Sequence, residues 1–105
     1  MIIAIDFDDT IHNTKNRKQG FKMGQPMPGA IQALKELSID NKIIIHTIWG
    51  GNPEMKRAIS GWLDYFDIPY DQITNVKPKA DVYIDDKAIH FTNWKETLNK
   101  LNDLA

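Results

Sequence analysis

Asp6 and Asp8 stand two residues apart, directly after the apolar run Ile2-Ile3-Ala4-Ile5. A second acidic pair, Asp85-Asp86, follows another apolar stretch, Val82-Tyr83-Ile84. Between them lie Thr47, at the end of Ile43-Ile44-Ile45-His46, and Lys77, in Lys77-Pro78-Lys79. Carboxylates gathered at one rim repel one another: two unit charges roughly 4 Å apart cost about 4 kcal/mol at an effective dielectric of about 20. Such a cluster either raises its pKa values or binds a cation. The chain has no cysteine, which excludes disulfides and thiol chemistry and leaves oxygen or imidazole to hold any metal. Hard oxygen ligands favour Mg²⁺, which keeps several waters and is commonly completed by substrate phosphate. A phosphoryl group held between that ion and Lys77 would be neutralised from both sides, the main need in phosphoryl transfer.

The elements that must position these residues can be read from hydrophobic periodicity. Ile2 to Ile5 and Ile43 to Ile45 read as strands buried on both faces, as in the middle of a parallel sheet. Residues 11–27 are polar, with Gly20, Gly24 and Pro26, and read as a loop or small flap. Pro28 suits the first turn of a helix whose apolar stripe is Ala30, Ala33, Leu34 and Leu37. Asn52-Pro53-Glu54 starts a second helix, with Met55, Ile59, Trp62, Leu63 and Phe66 on its buried side. Short strands are expected over 73–76 and 81–85. Asn93 and Glu96 have capping-box spacing before a last helix carrying Trp94, Leu98 and Leu101. Strands alternating with helices imply an α/β domain with a mainly parallel sheet. Ligands of such sheets bind outside the carboxyl ends of the strands, where the polar residues above fall.

The segments IIAIDFDDT, IIIHT, KPKAD and VYIDD, in that order, resemble the four motifs of the haloacid-dehalogenase (HAD) superfamily. The likeness spans nearly the whole chain, and KPKADVYIDDKAI followed by Phe91-x-x-Trp94 is especially like its small capless phosphatases. It implies one domain over 1–105 with a three-layer Rossmann-like core and no cap. It also implies Mg²⁺-dependent hydrolysis of a phosphomonoester through an aspartyl-phosphate. In that scheme Asp6 attacks phosphorus and Asp8 serves as general acid and then base. Thr47 binds a phosphoryl oxygen, and Lys77 holds the phosphoryl group and Asp6. Asp6, Asp85 and Asp86 ligate the metal by side chains, directly or through water, and Asp8 does so by its carbonyl. Lys79 competes with Lys77 for the third motif. Thr10 braces the loop, and Asp9 reads as a turn residue bonding local backbone. An open, capless site suits substrates too large to be enclosed, or a lid borrowed from another subunit.

Other residues have two readings each. Trp49, directly after Thr47, either stacks on a base or sugar of the substrate or packs on the neighbouring helix. His12 could reach substrate from the flap, His46 reads as a core or supporting residue, and His90 as a surface one. Lys15, Arg17, Lys18 and Lys22 make the flap basic, either a solvated loop or a device that steers phosphorylated substrate. The net charge of −1 points to neither nucleic acid nor an anionic membrane as a bulk partner. The expected partner is a phosphorylated substrate: a nucleotide, a sugar phosphate or the phosphorylated end of a polymer, nucleic acid included only as such an end. No stretch is long enough for a signal core or a membrane span, so a cytoplasmic location is expected. Two alternatives use the same residues. A non-catalytic HAD-fold module would bind metal or a partner with the acidic pocket. A response-regulator receiver also gathers Asp, Thr and Lys at strand ends, but its phosphorylated Asp lies on a later strand.

Overall fold

The computed structural model describes residues 1–16, 22–85 and 89–104. Its elements run β1 (Ile2–Asp6), α1 (Ala30–Asp40), β2 (Lys42–His46), a 3₁₀ turn (Ile48–Gly51), α2 (Pro53–Tyr65), β3 (Gln72–Thr74), β4 (Val82–Asp85), β5 (Ile89–His90) and α3 (Trp94–Leu104). The strands form one sheet in the order β3-β2-β1-β4-β5, and every pairing is parallel. The architecture is the Rossmann-like α/β type expected from the sequence, with no cap domain among the described residues. None of their helices is long and apolar enough to cross a membrane.

Register explains which residues meet the helices. Ile3 pairs with Ile43 and Val82, and Ile5 with Ile45 and Ile84, so these side chains share one face. With Ile73 and Ile89 they form a single core against the stripes of α1 (Ala30, Ala33, Leu34, Leu37), α2 (Ile59, Trp62, Leu63) and α3 (Trp94, Leu101). Ala4, Ile44 and Tyr83 alternate to the other face, and the β3–β4 connection crosses there as a thin third layer. The Tyr83 hydroxyl donates to the Pro78 carbonyl at 2.5 Å and accepts the Ala80 N–H at 3.2 Å. At the opposite edge of the sheet two aspartates tie strand starts together. The Asp81 carboxylate accepts the Ile2 N–H at 2.6 Å, and the Asp71 carboxylate accepts the Ile43 N–H at 2.8 Å.

Local signals mark most helix ends. Asn52 caps α2 by accepting the Glu54 and Met55 N–H groups, with Pro53 in the first turn. The Asn93 side chain accepts the Glu96 N–H at 2.9 Å, but the Glu96 carboxylate bonds the Thr92 hydroxyl, so the capping box is half made. Two expectations need correction. α1 begins at Ala30 rather than at Pro28, because Gly29 adopts a left-handed φ of +83° as its N-cap. The third strand stops at Thr74, where the Thr74 hydroxyl accepts the Val76 N–H and turns the chain away.

Candidate functional site

The carboxyl edge of the sheet collects the polar residues. Asp6 ends β1 in register with His46, and His46 pairs with Thr74. Ile5 pairs with Ile84, which sets Asp85 beside Asp6 on the other side, and Asp85 pairs with His90. The edge therefore presents Thr74, His46, Asp6, Asp85 and His90 at one level, on the face that carries Tyr83. Asp6 and Asp85, far apart in sequence, lie on adjacent strands at the same end.

Asp6 feels its neighbours. Burial pushes its pKa above the usual carboxylate value, the Phe7 N–H at 3.0 Å pulls it down, the charges of Asp8 and Asp85 push it further up, and His46 pulls it down. The net direction is upward, as expected of a partly desolvated carboxyl among like charges. His46, foreseen as a supporting residue, is a direct neighbour of Asp6.

After β1 the chain turns tightly, with the Phe7 carbonyl accepting the N–H groups of Ile11 at 2.9 Å and His12 at 3.0 Å. Asp9 takes the left-handed conformation at φ +59° and accepts both the N–H and the hydroxyl of Thr14, which hold its pKa below the usual value. The turn role expected for Asp9 is the one it has. Asp9→Gly should shift unfolding stability by no more than about 1 kcal/mol by urea titration, because relief of about 1 kcal/mol of left-handed cost offsets the lost Thr14 bonds. A loss well beyond that would mean Asp9 supports more than this turn.

His12, which from sequence could have reached substrate, turns inward. It is 5% exposed, with Nδ1 3.0 Å from Asp8 Oδ1 and Nε2 accepting the Gly24 N–H at 2.7 Å. Its ring stacks on Phe7 and meets the edge of Trp62. Described residues of the connection fold back as an antiparallel pair, Asn13 N–H to the Gln25 carbonyl and Gln25 N–H to the Asn16 carbonyl, each at 2.8 Å. A Cβ at Gly24 would lie 1.7 Å from the Asn13 carbonyl oxygen, so only glycine fits. Two indoles pin this connection: Trp62 Nε1–H donates to the Gly24 carbonyl at 2.9 Å, and Trp94 Nε1–H to the Thr10 carbonyl at 3.1 Å. Thr10 itself is buried.

Thr47 follows β2 with its N–H on the Thr74 carbonyl at 3.0 Å and its hydroxyl oxygen accepting the Trp49 N–H at 3.4 Å. The 3₁₀ turn lies hard against the end of β3: a Cβ at Gly50 would come within 2.5 Å of Thr74 backbone. Ile48 and Trp49 are 81% and 42% exposed, and Val76, just past the end of β3, is 69% exposed. Trp49 is thus a partly exposed residue at the rim. The Lys77 ammonium lies 4.8 Å from the centre of the Tyr83 ring, on the sheet face shared by Asp6 and Asp85, and both Lys77 and Lys79 are exposed. Lys15 and Lys22 are exposed on the flap. Asp86, Arg17 and Lys18 lie outside the described residues. Among the described residues no three His, Cys, Asp or Glu side chains converge as a metal-holding group. A cation here would draw on the Asp6 and Asp85 carboxylates together with main-chain, water or substrate oxygens.

No family model matches the chain, and no curated protein matches it. Two solved structures are similar along its whole length. A conserved protein from Bacteroides thetaiotaomicron superposes with a TM-score of 0.77 at 21% identity, covering 100% of this chain and 92% of its own. A structural-genomics target from Vibrio cholerae superposes with a TM-score of 0.56 at 24% identity, covering 99% of this chain and 98% of its own. At these identities the shared property is the fold, which extends end to end in both.

Proposed function

We propose that this protein is a Mg²⁺-dependent phosphatase of the HAD type that hydrolyses phosphomonoesters through an aspartyl-phosphate on Asp6. One observation carries the reading: Asp6 and Asp85 meet at the carboxyl edge of neighbouring strands, and the charges of Asp85 and Asp8 both raise the Asp6 pKa. An all-oxygen set of two adjacent carboxylates suits Mg²⁺, which is usually held by one or two carboxylates plus substrate phosphate. The Asp6 and Asp85 side chains and the Asp8 carbonyl would hold it, with Asp86 as a further ligand. When bound, it would neutralise phosphoryl oxygens and the crowded carboxylates together.

The chain's own groups supply the remaining steps. The Asp6 oxygen that does not receive the Phe7 N–H attacks phosphorus, and the bond to the leaving oxygen breaks as Asp8 protonates that oxygen. Asp8 then takes a proton from water, which attacks the aspartyl-phosphate, releases phosphate and restores Asp6. Because Trp49 N–H already donates to the Thr47 oxygen, the Thr47 hydroxyl proton is the group offered to a phosphoryl oxygen. Lys77, on the same sheet face as Asp6 and Asp85, is the lysine assigned to the phosphoryl group. The exposed Ile48, Trp49 and Val76 leave the rim open to a nucleotide, a sugar phosphate or a polymer end.

Purified protein should hydrolyse p-nitrophenyl phosphate with Mg²⁺ and lose that activity in excess chelator. Thermal stabilisation by Mg²⁺ without turnover of any phosphate ester would instead support the non-catalytic binding module. Asp85→Asn should raise the Mg²⁺ concentration giving half-maximal rate by about tenfold or more, since affinity follows the number of ligand charges. An unchanged Mg²⁺ titration would remove Asp85 from the metal site.

A further inference from the structure

We infer that His12 is a positioning residue that holds Asp8 in the orientation required of a general acid, an inference that rests on the phosphatase reading above. A backbone N–H only donates, so the Gly24 N–H at 2.7 Å makes Nε2 of His12 an acceptor without a proton. The proton of the neutral imidazole then sits on Nδ1, which donates to Asp8 Oδ1 at 3.0 Å. The Gly24 N–H thus assigns the tautomer and, with it, the direction of the bond to Asp8.

The ring is held as firmly as its bonds. Phe7 stacks on it with centroids 5.1 Å apart and planes 13° from parallel, and Trp62 closes the edge at 5.2 Å. Trp62 also donates to the carbonyl of Gly24, the residue whose N–H fixes Nε2, so one glycine is gripped from both sides. The His12 side chain is 6% exposed, whereas that of Asp8 is 43% exposed. A bond from a buried, immobilised donor to a half-exposed carboxylate orients the carboxylate toward solvent. With Oδ1 occupied by His12, Oδ2 is the oxygen that carries the proton to the leaving group. His12 itself does not touch substrate.

Two variants separate orientation from mere support. His12→Phe keeps the ring stack and removes the Nδ1–H, and His12→Asn places an amide donor near the position of Nδ1. The comparison is kcat/KM with Mg²⁺ for p-nitrophenyl phosphate, whose leaving group needs little protonation, and for a simple alkyl phosphate, whose leaving group needs a full proton. His12→Phe should lower kcat/KM by about 10²-fold for the alkyl ester, within the usual range for general acid catalysis, and only several-fold for the p-nitrophenyl ester. His12→Asn should recover most of the alkyl activity. Equal losses on both esters, or none on either, would overturn the role. A wild-type protein inert toward both would overturn the phosphatase reading and this role with it. A measurement on unmodified protein guards against variants that fail to fold. Imidazole ¹⁵N shifts at neutral pH should show a protonated Nδ1 and a bare Nε2, the reverse of the tautomer favoured by free histidine. A protonated Nε2 would refute the geometry without reference to activity.

Discussion

Asp6→Asn is expected to lower kcat on phosphomonoesters by about 10³-fold or more and, at the same time, to stabilise the metal-free protein at neutral pH. The kinetic loss follows from removing the proposed nucleophile, since the neutral amide cannot form the acyl-phosphate bond. The stabilisation follows from the environment of the carboxyl. Burial first, then the charges of Asp8 and Asp85, push its pKa above 3.8 against the opposing pull of the Phe7 N–H and His46. A carboxyl whose folded pKa is raised stabilises the fold fully below its unfolded pKa and loses that contribution as pH rises through the folded value. At neutral pH ionised Asp6 therefore weakens the fold, and asparagine removes this charge while its side-chain oxygen can still accept the Phe7 N–H. Thermal melts without metal should show the variant above wild type at pH 7, with the gap closing below pH 4. Added Mg²⁺ should raise the melting temperature of wild type more than that of the variant. Activity within tenfold of wild type would displace Asp6 from the reaction. A variant melting below wild type at pH 7 would contradict the like-charge account.

The sheet and its helices were legible because apolar runs and 3.6-residue stripes are local signals that tertiary packing then amplifies. Ile43 to Ile45 could be read as a buried strand, and Ala30, Ala33, Leu34 and Leu37 as one helix face, without knowledge of any partner. Polar residues ending such runs also had to share one rim in a parallel sheet, which put Asp6, Thr47 and Asp85 together before any coordinates. β5 has two residues, Ile89 and His90, too few for any period. Gly29 carries no side-chain signal for its left-handed φ, so α1 was started too early. The His12–Asp8 bond depends on Gly24, twelve residues further on, folding back to hold the far nitrogen. No spacing rule encodes that. The nearest hint was a histidine four residues after Asp8 in an otherwise polar loop, with Gly24 and Pro26 to reverse the chain. The exposure of Trp49 was not legible either, because an indole beside a helix start suggests packing. The close approach of the neighbouring Gly50 to β3 is a contact between distant segments.

Trp62→Ala should be the most destabilising single substitution tested, at about 3–5 kcal/mol, the range for truncating a buried tryptophan. The indole is 8% exposed and packs against Phe7 at 5.3 Å, His12 at 5.2 Å and Phe66 at 5.0 Å between ring centres. It also carries the bond to the Gly24 carbonyl. Small domains are stable by only about 5–15 kcal/mol, so the loss is a large share of the total. With a urea m-value of about 1–3 kcal/mol/M, the unfolding midpoint should fall by roughly 2 M. Trp62→Phe divides the effect: it retains most of the packing but leaves the buried Gly24 carbonyl without its donor, at a cost of about 1–3 kcal/mol. If the indole mainly anchors the connection that follows β1, the Phe variant should accelerate hydrogen exchange at the Gly24 amide more than at the Ile44 amide in the central sheet. A uniform rise in exchange across both would mean that Trp62 acts on global stability alone, and that the orientation of Asp8 does not depend on it.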